Sequence, residues 1–443
     1  MIQALRNAMA LPDLRRKLLY TLLILIIYRL AAHVPVPGIN QEALQQLTGG
    51  ASQFVNLLDL LSGGAVARFS VMANGVYPYI TATIIFQLLQ PIIPGLERLA
   101  EEGEAGRRKL NQWQYYITIP LGLLQAFGQI RFVNAAVSGT PVLPNFGFSP
   151  PENILPTVAV LMAMTGGTMF AIWLGELITE QGIGSGLSLI IFSGIVSRVP
   201  ENLARIWTQA QAREGGGAGL GVLMLGIFLA IMAITMFVIV VVQEGERRIP
   251  VQYGKRVRGI KMYAGGSTHI PLRVNTAGMI PLIFAQSFLT FPAVIAQFFV
   301  GSENAGVSQF ARGVVDFFAA QNPWYGLLYF VAVVGFTYFY TDVMVQQQDL
   351  PGALQRQGGF IPGIRPGRRT AEYINSVYRR ITLVGALFLG GVAVLPFIVD
   401  LFLQTQVLLI TASGLLIVVG VVLDTMRQLE AQLLMRHYEG FIK

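Results

Sequence analysis

The sequence predicts an all-α membrane protein with ten transmembrane helices, and three observations carry that prediction. Hydrophobic residues make up 53% of the 443-residue chain and charged residues only 12%, and the apolar residues run in long blocks instead of alternating with polar ones. Lys and Arg gather in alternate connections between those blocks, the signature of a multi-pass membrane topology. One stretch, Phe54 to Ile93, is too long for a single crossing and is interrupted by glycines and an arginine, as in membrane proteins that fold broken backbone into a protected cavity.

The candidate spans cover about 17–34, 73–93, 113–133, 154–176, 183–200, 219–242, 274–299, 322–342, 378–399 and 405–425, each near the ~20 apolar residues that a bilayer core requires. Most of the 31 basic residues lie in 1–17, 91–112, 243–273, 343–380 and 426–443. The opposite side holds only Arg131, Arg198, Arg205, Arg213 and Arg312. The positive-inside rule therefore puts both termini in the cytoplasm. The net charge of +8 is mostly this topology signal.

Within the broken stretch, Gly63-Gly64 ends a short apolar helix over 55–61, Arg68 is costly at membrane depth, and an uninterrupted run starts only near Gly75. A half-helix turned back into a cavity, followed by a spanning helix that lines it, satisfies these constraints.

In chain order, residues 1–17 read as a basic amphipathic helix lying on the cytoplasmic face. Arg29 falls near the outer end of the first span, and Pro35, Pro37 and Gly38 form a rigid exit turn. Glu97 to Lys109 reads as a solvated charged hairpin. Thr179 to Val196 sets three glycines before a short apolar run, which suits close helix packing or a re-entrant start. Arg213 to Gly219 is a flexible joint with five spans on each side. Gln243 to His269 reads as a protruding β-hairpin, and Gly358 to Thr370, with Pro362 and Pro366, as a shaped loop.

Several chemistries are excluded or disfavoured. No nucleotide cradle of the G-x-x-x-x-G-K-[ST] type occurs, so energy from ATP or GTP must come from a partner. His33, His269 and His437 lack metal-ligand spacing, and the absence of cysteine removes thiolate chemistry. An enzyme is disfavoured because no base, nucleophile pair or metal cluster falls at membrane depth. Glu176, Asp342, Asp400 and Asp424 all fall at span ends. That disfavours an ion-coupled carrier, although a secondary transporter with broken helices remains the alternative from another class. The span centres offer branched aliphatics instead: Ile80 and Ile84 one turn apart, Leu187 and Ile191 likewise, Ile283 near Pro281, and Ile417.

Five motifs then become specific. They are Gly75-Val76-Tyr77-Pro78-Tyr79-Ile80, the 179–196 segment, Glu246 to Tyr253 (ERRIPVQY), Gly359 to Gly367 (GFIPGIRPG) and the tail from Leu415 to Phe441. In this order they closely resemble the bacterial SecY family, the channel subunits of the Sec protein-conducting translocon. The resemblance implies two pseudo-symmetric inverted halves around a central hourglass pore, 1–196 and 219–443, joined by a hinge loop at 197–218, with cytoplasmic loops at about 243–273 and 343–377.

It further implies a pore ring at Ile80, Ile84, Leu187, Ile191, Ile283 and Ile417. A short re-entrant plug falls at about 55–70, including Leu57, Leu58, Leu61, Ser62, Gly63 and Gly64, and a lateral gate carries Gln87, Gln286 and Phe291. The basic loops around Arg247, Arg248, Lys255, Arg256, Arg258 and Arg365 are the expected docking sites, since protruding cations suit ribosomal RNA or a motor surface. The implied partners are SecE and SecG as small membrane subunits, the SecA motor ATPase, the ribosome, preproteins with their signal sequences, and the lipid bilayer. No cofactor is implied, and the implied location is the bacterial inner membrane. Ser185, Gln114-Tyr115, Ile260-Lys261 and Arg368-Arg369 depart from the family pattern; the last two move basic charge between the cytoplasmic loops, which bears on partner contacts more than on the fold.

Overall fold

The computed structural model describes residues 9–40, 65–66, 68–90, 92–136, 141–148, 151–212, 218–253, 256–258, 261–263, 266–300, 304–318, 322–348, 350–403 and 411–439. The helices are α1 (Pro12–Ala31), α2 (Tyr77–Leu89), α3 (Pro94–Glu101), α4 (Glu104–Ala136), α5 (Ile154–Gln181), α6 (Gly186–Ala212), α7 (Ala218–Glu244), α8 (Ile280–Phe299), α9 (Ala305–Phe317), α10 (Pro323–Gln348), α11 (Leu350–Gln357), α12 (Arg368–Leu403) and α13 (Thr411–Glu439). The strands are β1 (Glu246–Tyr253), β2 (Arg256–Arg258), β3 (Lys261–Tyr263), β4 (Ser267–Arg273) and β5 (Gly359–Phe360).

Each of the ten apolar stretches coincides with a helix, and many helices outrun the stretch. α12, for example, begins at Arg368, ten residues before the apolar run at 378, because a helix extends its hydrogen-bond ladder past its apolar length wherever its polar turns meet water or other protein. Length and apolarity alone qualify four described helices as membrane-crossing: Pro151–Gln181, Gly221–Glu244, Trp324–Gln357 and Arg368–Ile398. The pair Tyr77–Leu89 and Pro94–Ala100, bent by 105°, would make a fifth.

Two compact units divide the described chain. The first holds Met1–Leu225, Thr290–Ala320 and Val421–Lys443, and the second holds Gly226–Leu289 and Gln321–Gly420.

In the first unit the core gathers Val36, Val66, Phe69, Ala73, Ala126, Ile130, Val160 and Met164. α5 and α6 approach closely through glycine. A Cβ on Gly186 would lie 1.8 Å from the Gly175 carbonyl oxygen, so only hydrogen fits there. The Gly186 amide also donates to Thr179 Oγ1 at 2.9 Å. Gly186 therefore serves close helix packing, and Gly184, at φ +93°, serves the turn into α6.

Two expectations change in this unit. The charged segment 97–109 is a helical hairpin, α3 and α4 joined through Gly103 at φ +76°, rather than a loop. Its apolar positions Leu96, Leu99 and Leu110 pack with Phe86 and Leu89, and that burial makes a helix worth forming despite the charges. Of the expected basic helix at 1–17, residues 1–8 lie outside the described residues, 9–10 are helical, and 12–17 are the first turns of α1. Pro12 begins α1, and Leu14 is buried with Ile183 and Leu429.

In the second unit α10 and α12 pack side by side, with Tyr325 and Tyr329 against Phe397. Gly390 lies so close to Phe330 that a Cβ there would stand 2.7 Å from the ring.

Candidate pore, plug anchor and docking platform

The described part of the plug region is a pinned stalk. Residues 57, 58 and 61–64, which carry the expected plug positions Leu57, Leu58, Leu61, Ser62, Gly63 and Gly64, lie outside the described residues. Beyond them the chain joins the exit turn of α1. The Val36 amide donates to the Phe69 carbonyl at 3.1 Å, the Val71 amide to the Val34 carbonyl at 2.9 Å, and Pro35 and Ser70 form an isolated β-bridge. Phe69 is fully buried at φ +46°. A non-glycine residue in that region costs about 1–2 kcal/mol, which its burial in the core offsets.

Arg68 corrects the expectation that it sits inside the membrane-depth core. Its side chain is 44% exposed and its Nη2 donates to Glu201 Oε1 on α6 at 3.1 Å. No local pattern links residues 133 positions apart, so the pair was invisible in the sequence.

The six expected pore-ring residues all lie on helices: Ile80 and Ile84 on α2, Leu187 and Ile191 on α6, Ile283 on α8 and Ile417 on α13. The first four belong to the first unit and the last two to the second. Ile84, Ile191, Ile283 and Ile417 are buried at 9% exposure or less, and Ile80 and Leu187 are half-buried. Apolar residues elsewhere on the same kinds of helix behave oppositely, Leu155 being 80% exposed and Phe237 69%. The four buried side chains are covered by protein, and those of Ile80 and Leu187 are partly covered.

Of the expected gate residues, Gln87 is on α2, and Gln286 and Phe291 are on α8. Gln87 is half-buried and its Oε1 has no hydrogen-bond partner among the described residues, a condition shared by Ser287 Oγ on α8. A buried polar oxygen without a partner costs about 1–3 kcal/mol. Gln125, Gln129 and Asn275 elsewhere carry atoms of the same kind, so the feature is not confined to these helices.

The two long basic loops form one packed body in the second unit. β1 and β4 pair antiparallel from Glu246↔Arg273 to Gln252↔Ser267, and β2 and β3 extend the same excursion as a second hairpin. The expected hairpin is therefore present. The sequence did not disclose that β5 from the other loop adds to β1, at Gln252↔Phe360 and Tyr253↔Gly359, giving the order β4-β1-β5.

Alternation explains the face: Ile249 and Val251 point inward at 2% and 0% exposure while Arg248, Pro250 and Gln252 point out. The inner face packs with Leu272, Leu354, Ile361, Ile374 and Tyr378. Gly359 is needed because a Cβ there would stand 3.0 Å from the Tyr253 ring. Pro250 is tolerated where β1 has β4 alone as a neighbour.

Among the expected docking residues, Arg247, Arg248 and Arg365 are exposed. Arg248 is partly neutralised by Glu246 Oε1 at 2.6 Å. Arg256 and Arg258 lie on β2, and Lys255 lies outside the described residues. Arg365 occupies the turn after β5, where its carbonyl accepts from Thr370 Oγ1 at 3.0 Å. Sequence reasoning missed the exposed Arg273, which the β1–β4 register brings opposite Glu246. Among the described residues no three His, Asp or Glu side chains gather as a metal site.

Comparison with known proteins agrees along the whole chain. The SecY family model matches residues 70–426. The protein translocase subunit SecY of Halalkalibacterium halodurans is 44% identical over 446 residues, covering 100% of both chains. Among solved structures, one described as a protein-conducting channel superposes with a TM-score of 0.62 at 18% identity, over 94% of this chain and 91% of that one. Sec61 from a canine ribosome–channel complex of the endoplasmic reticulum gives 0.61 at 18% identity, over the same shares. At that identity the two structures establish a common fold.

Proposed function

The chain belongs to the SecY family of protein translocase subunits, and on that premise we propose that it is the central channel of its translocase, conducting unfolded secretory polypeptides across the bacterial inner membrane. Family membership makes it an all-α membrane protein and a translocation subunit rather than an enzyme, and it displaces the secondary-transporter alternative. In this reading the ten helices all cross the bilayer and both termini are cytoplasmic. The chain forms two inverted halves, 1–196 and 219–443, hinged at 197–218.

The observation that supports the proposal is that the ring positions on α2, α6, α8 and α13 all carry branched aliphatics, four buried and two half-buried. A pore serving many polypeptides must not bind any of them strongly, so its constriction should lack charges and hydrogen-bonding groups. The same apolar ring opposes leakage, because ions crossing it lose hydration without compensation. Isoleucine is stiff at its first torsion, while its outer atoms can move aside for a passing chain.

The plug at about 55–70 seals the resting pore. The stalk from Ala65 to Ser70, bonded to the exit turn of α1, gives it a fixed base from which a short segment can be displaced without unfolding a helix. Gln87, Gln286 and Phe291 line the lateral gate. Once it parts, an apolar signal sequence or membrane segment leaves the pore for lipid by ordinary transfer energetics.

The driving force comes from partners. The β4-β1-β5 sheet and the turn at Arg365 form one platform for the SecA motor or for ribosomal RNA, with SecE and SecG completing the membrane complex. The solved Sec61 relative is part of a ribosome–channel complex, which supports the ribosome as a partner here.

The test is Arg365→Glu. Arg365 is exposed and its side chain takes no part in the platform core, so assembly should be preserved. ATP-driven protection of a preprotein in reconstituted vesicles should fall about ten-fold, the ~1.4 kcal/mol scale of one lost charge contact. Normal export would remove Arg365 from the docking surface.

A further inference from the structure

We propose that α9 is an interfacial membrane anchor, with the edge formed by Val307, Phe310 and Phe317 set into the headgroup–acyl boundary of the non-cytoplasmic leaflet. The helix, AGVSQFARGVVDF, is too short to cross a bilayer. At 100° per residue, Val307, Phe310, Ala311, Val314, Val315 and Phe317 share one arc, and Gln309, Arg312 and Asp316 lie opposite.

Only part of that arc is covered by protein. Ala311 is 2% exposed, whereas Phe310 is 76%, Phe317 44% and Val307 42% exposed. Ser308 holds the helix to the preceding chain, its hydroxyl donating to the Val300 carbonyl at 2.7 Å. The apolar edge is thus held outward.

Chain continuity identifies the occupant. Only residues 300–304 separate α9 from α8, and only 318–322 separate it from α10. At ~3.3–3.6 Å per residue, both ends of α9 stay within about 20 Å of helices that approach the membrane surface. The flanking helix ends also expose large aromatics, Phe299 at 52% and Trp324 at 62%, as at a membrane–water boundary. Arg312 and Asp316 cancel in charge, so the apolar edge rather than attraction to anionic lipid sets the depth.

The proposal rests on the reading that α8 and α10 cross the bilayer with their connection outside. Its consequence is that α9 fixes the depth of the outer end of α8, the helix that carries Ile283, Gln286 and Phe291.

The cysteine-free sequence allows a direct test in the full-length chain. Phe310→Cys and Gln309→Cys are each labelled with an environment-sensitive fluorophore in phosphatidylcholine–phosphatidylglycerol vesicles, with Phe317→Cys as a second apolar position. Probes at 310 and 317 should show blue-shifted emission, strong quenching by lipids bearing a nitroxide near the headgroup, and weak quenching by aqueous iodide; the probe at 309 should show the reverse. Equal quenching at all three positions overturns the anchor. So does shielding at 310 that appears only when other membrane subunits are co-reconstituted, since it would assign the edge to protein. Reaction of position 309 with an impermeant maleimide only from the cytoplasmic side would overturn the orientation, and with it the leaflet, while lipid quenching would still report on the anchor itself.

Discussion

Replacing Ile84, Ile191, Ile283 and Ile417 together by asparagine raises the resting ion conductance of the reconstituted protein by roughly ten-fold or more, because the seal depends on a constriction without hydrogen-bonding groups. All four side chains are buried, at 9% exposure or less. Asparagine carries a donor and an acceptor and is smaller than isoleucine, so both polarity and width change, and an apolar control is needed to separate the two. Water retained at the constriction lets ions pass without shedding their hydration, whose loss otherwise costs many kcal/mol. The control is isoleucine to valine at the same four positions, which keeps the ring apolar and leaves conductance low. Conductance that stays low in the asparagine variant, with the protein inserted and protease-resistant, would show that sealing lies elsewhere.

Gly186→Leu is expected to be the most damaging single substitution for the fold. A Cβ at that position meets the Gly175 oxygen at 1.8 Å, its carbon at 2.6 Å and Ile178 Cβ at 2.9 Å. Two of these are backbone atoms that cannot rotate away, so α6 must move off α5. Overpacking of that kind costs about 3 kcal/mol or more. Gly175→Ala is the informative contrast, because its Cβ meets Leu187 Cδ2 at 2.9 Å, a side chain that can change rotamer, and the loss should be nearer ~1 kcal/mol. Thermal unfolding in detergent, followed by loss of resistance to trypsin, measures both. Leu187 adjoins this contact and Ile191 lies little more than one turn further along α6, so the leucine variant should also leak ions. Native stability in Gly186→Leu would contradict the packing.

How much was legible follows from range along the chain. Long apolar blocks disclosed the membrane helices, and the alternation of Ile249 and Val251 disclosed a hairpin, since both periods are local. The glycines at 182–186 pointed correctly to close packing, because only small residues let two backbones touch. What stayed hidden was long-range. Gln252 pairs with Phe360, and a two-residue strand such as β5 leaves no pattern of its own.

The Arg68–Glu201 pair joins a turn to a distant helix, so Arg68 read as a buried charge when it is a half-exposed, paired one. The helical hairpin at 94–109 was masked by its charges, because its few leucines show their role only once Phe86 is seen against them. The ring positions came from the family motifs rather than from periodicity, since isoleucine is common in every membrane helix. Burial does not single them out either, since Ile130, Ile172 and Ile239 on other helices are buried as deeply.

The proposed function requires one polypeptide path past Ile84, Ile191, Ile283 and Ile417. Photoreactive residues placed at positions 84, 191, 283 and 417, and at Leu155 and Phe237 as lipid-facing controls, can be irradiated with a preprotein arrested midway through export. The account predicts adducts between the arrested chain and all four ring positions and none at the controls. Adducts of the ring positions with lipid alone, or equal adducts at ring and control positions, would contradict it.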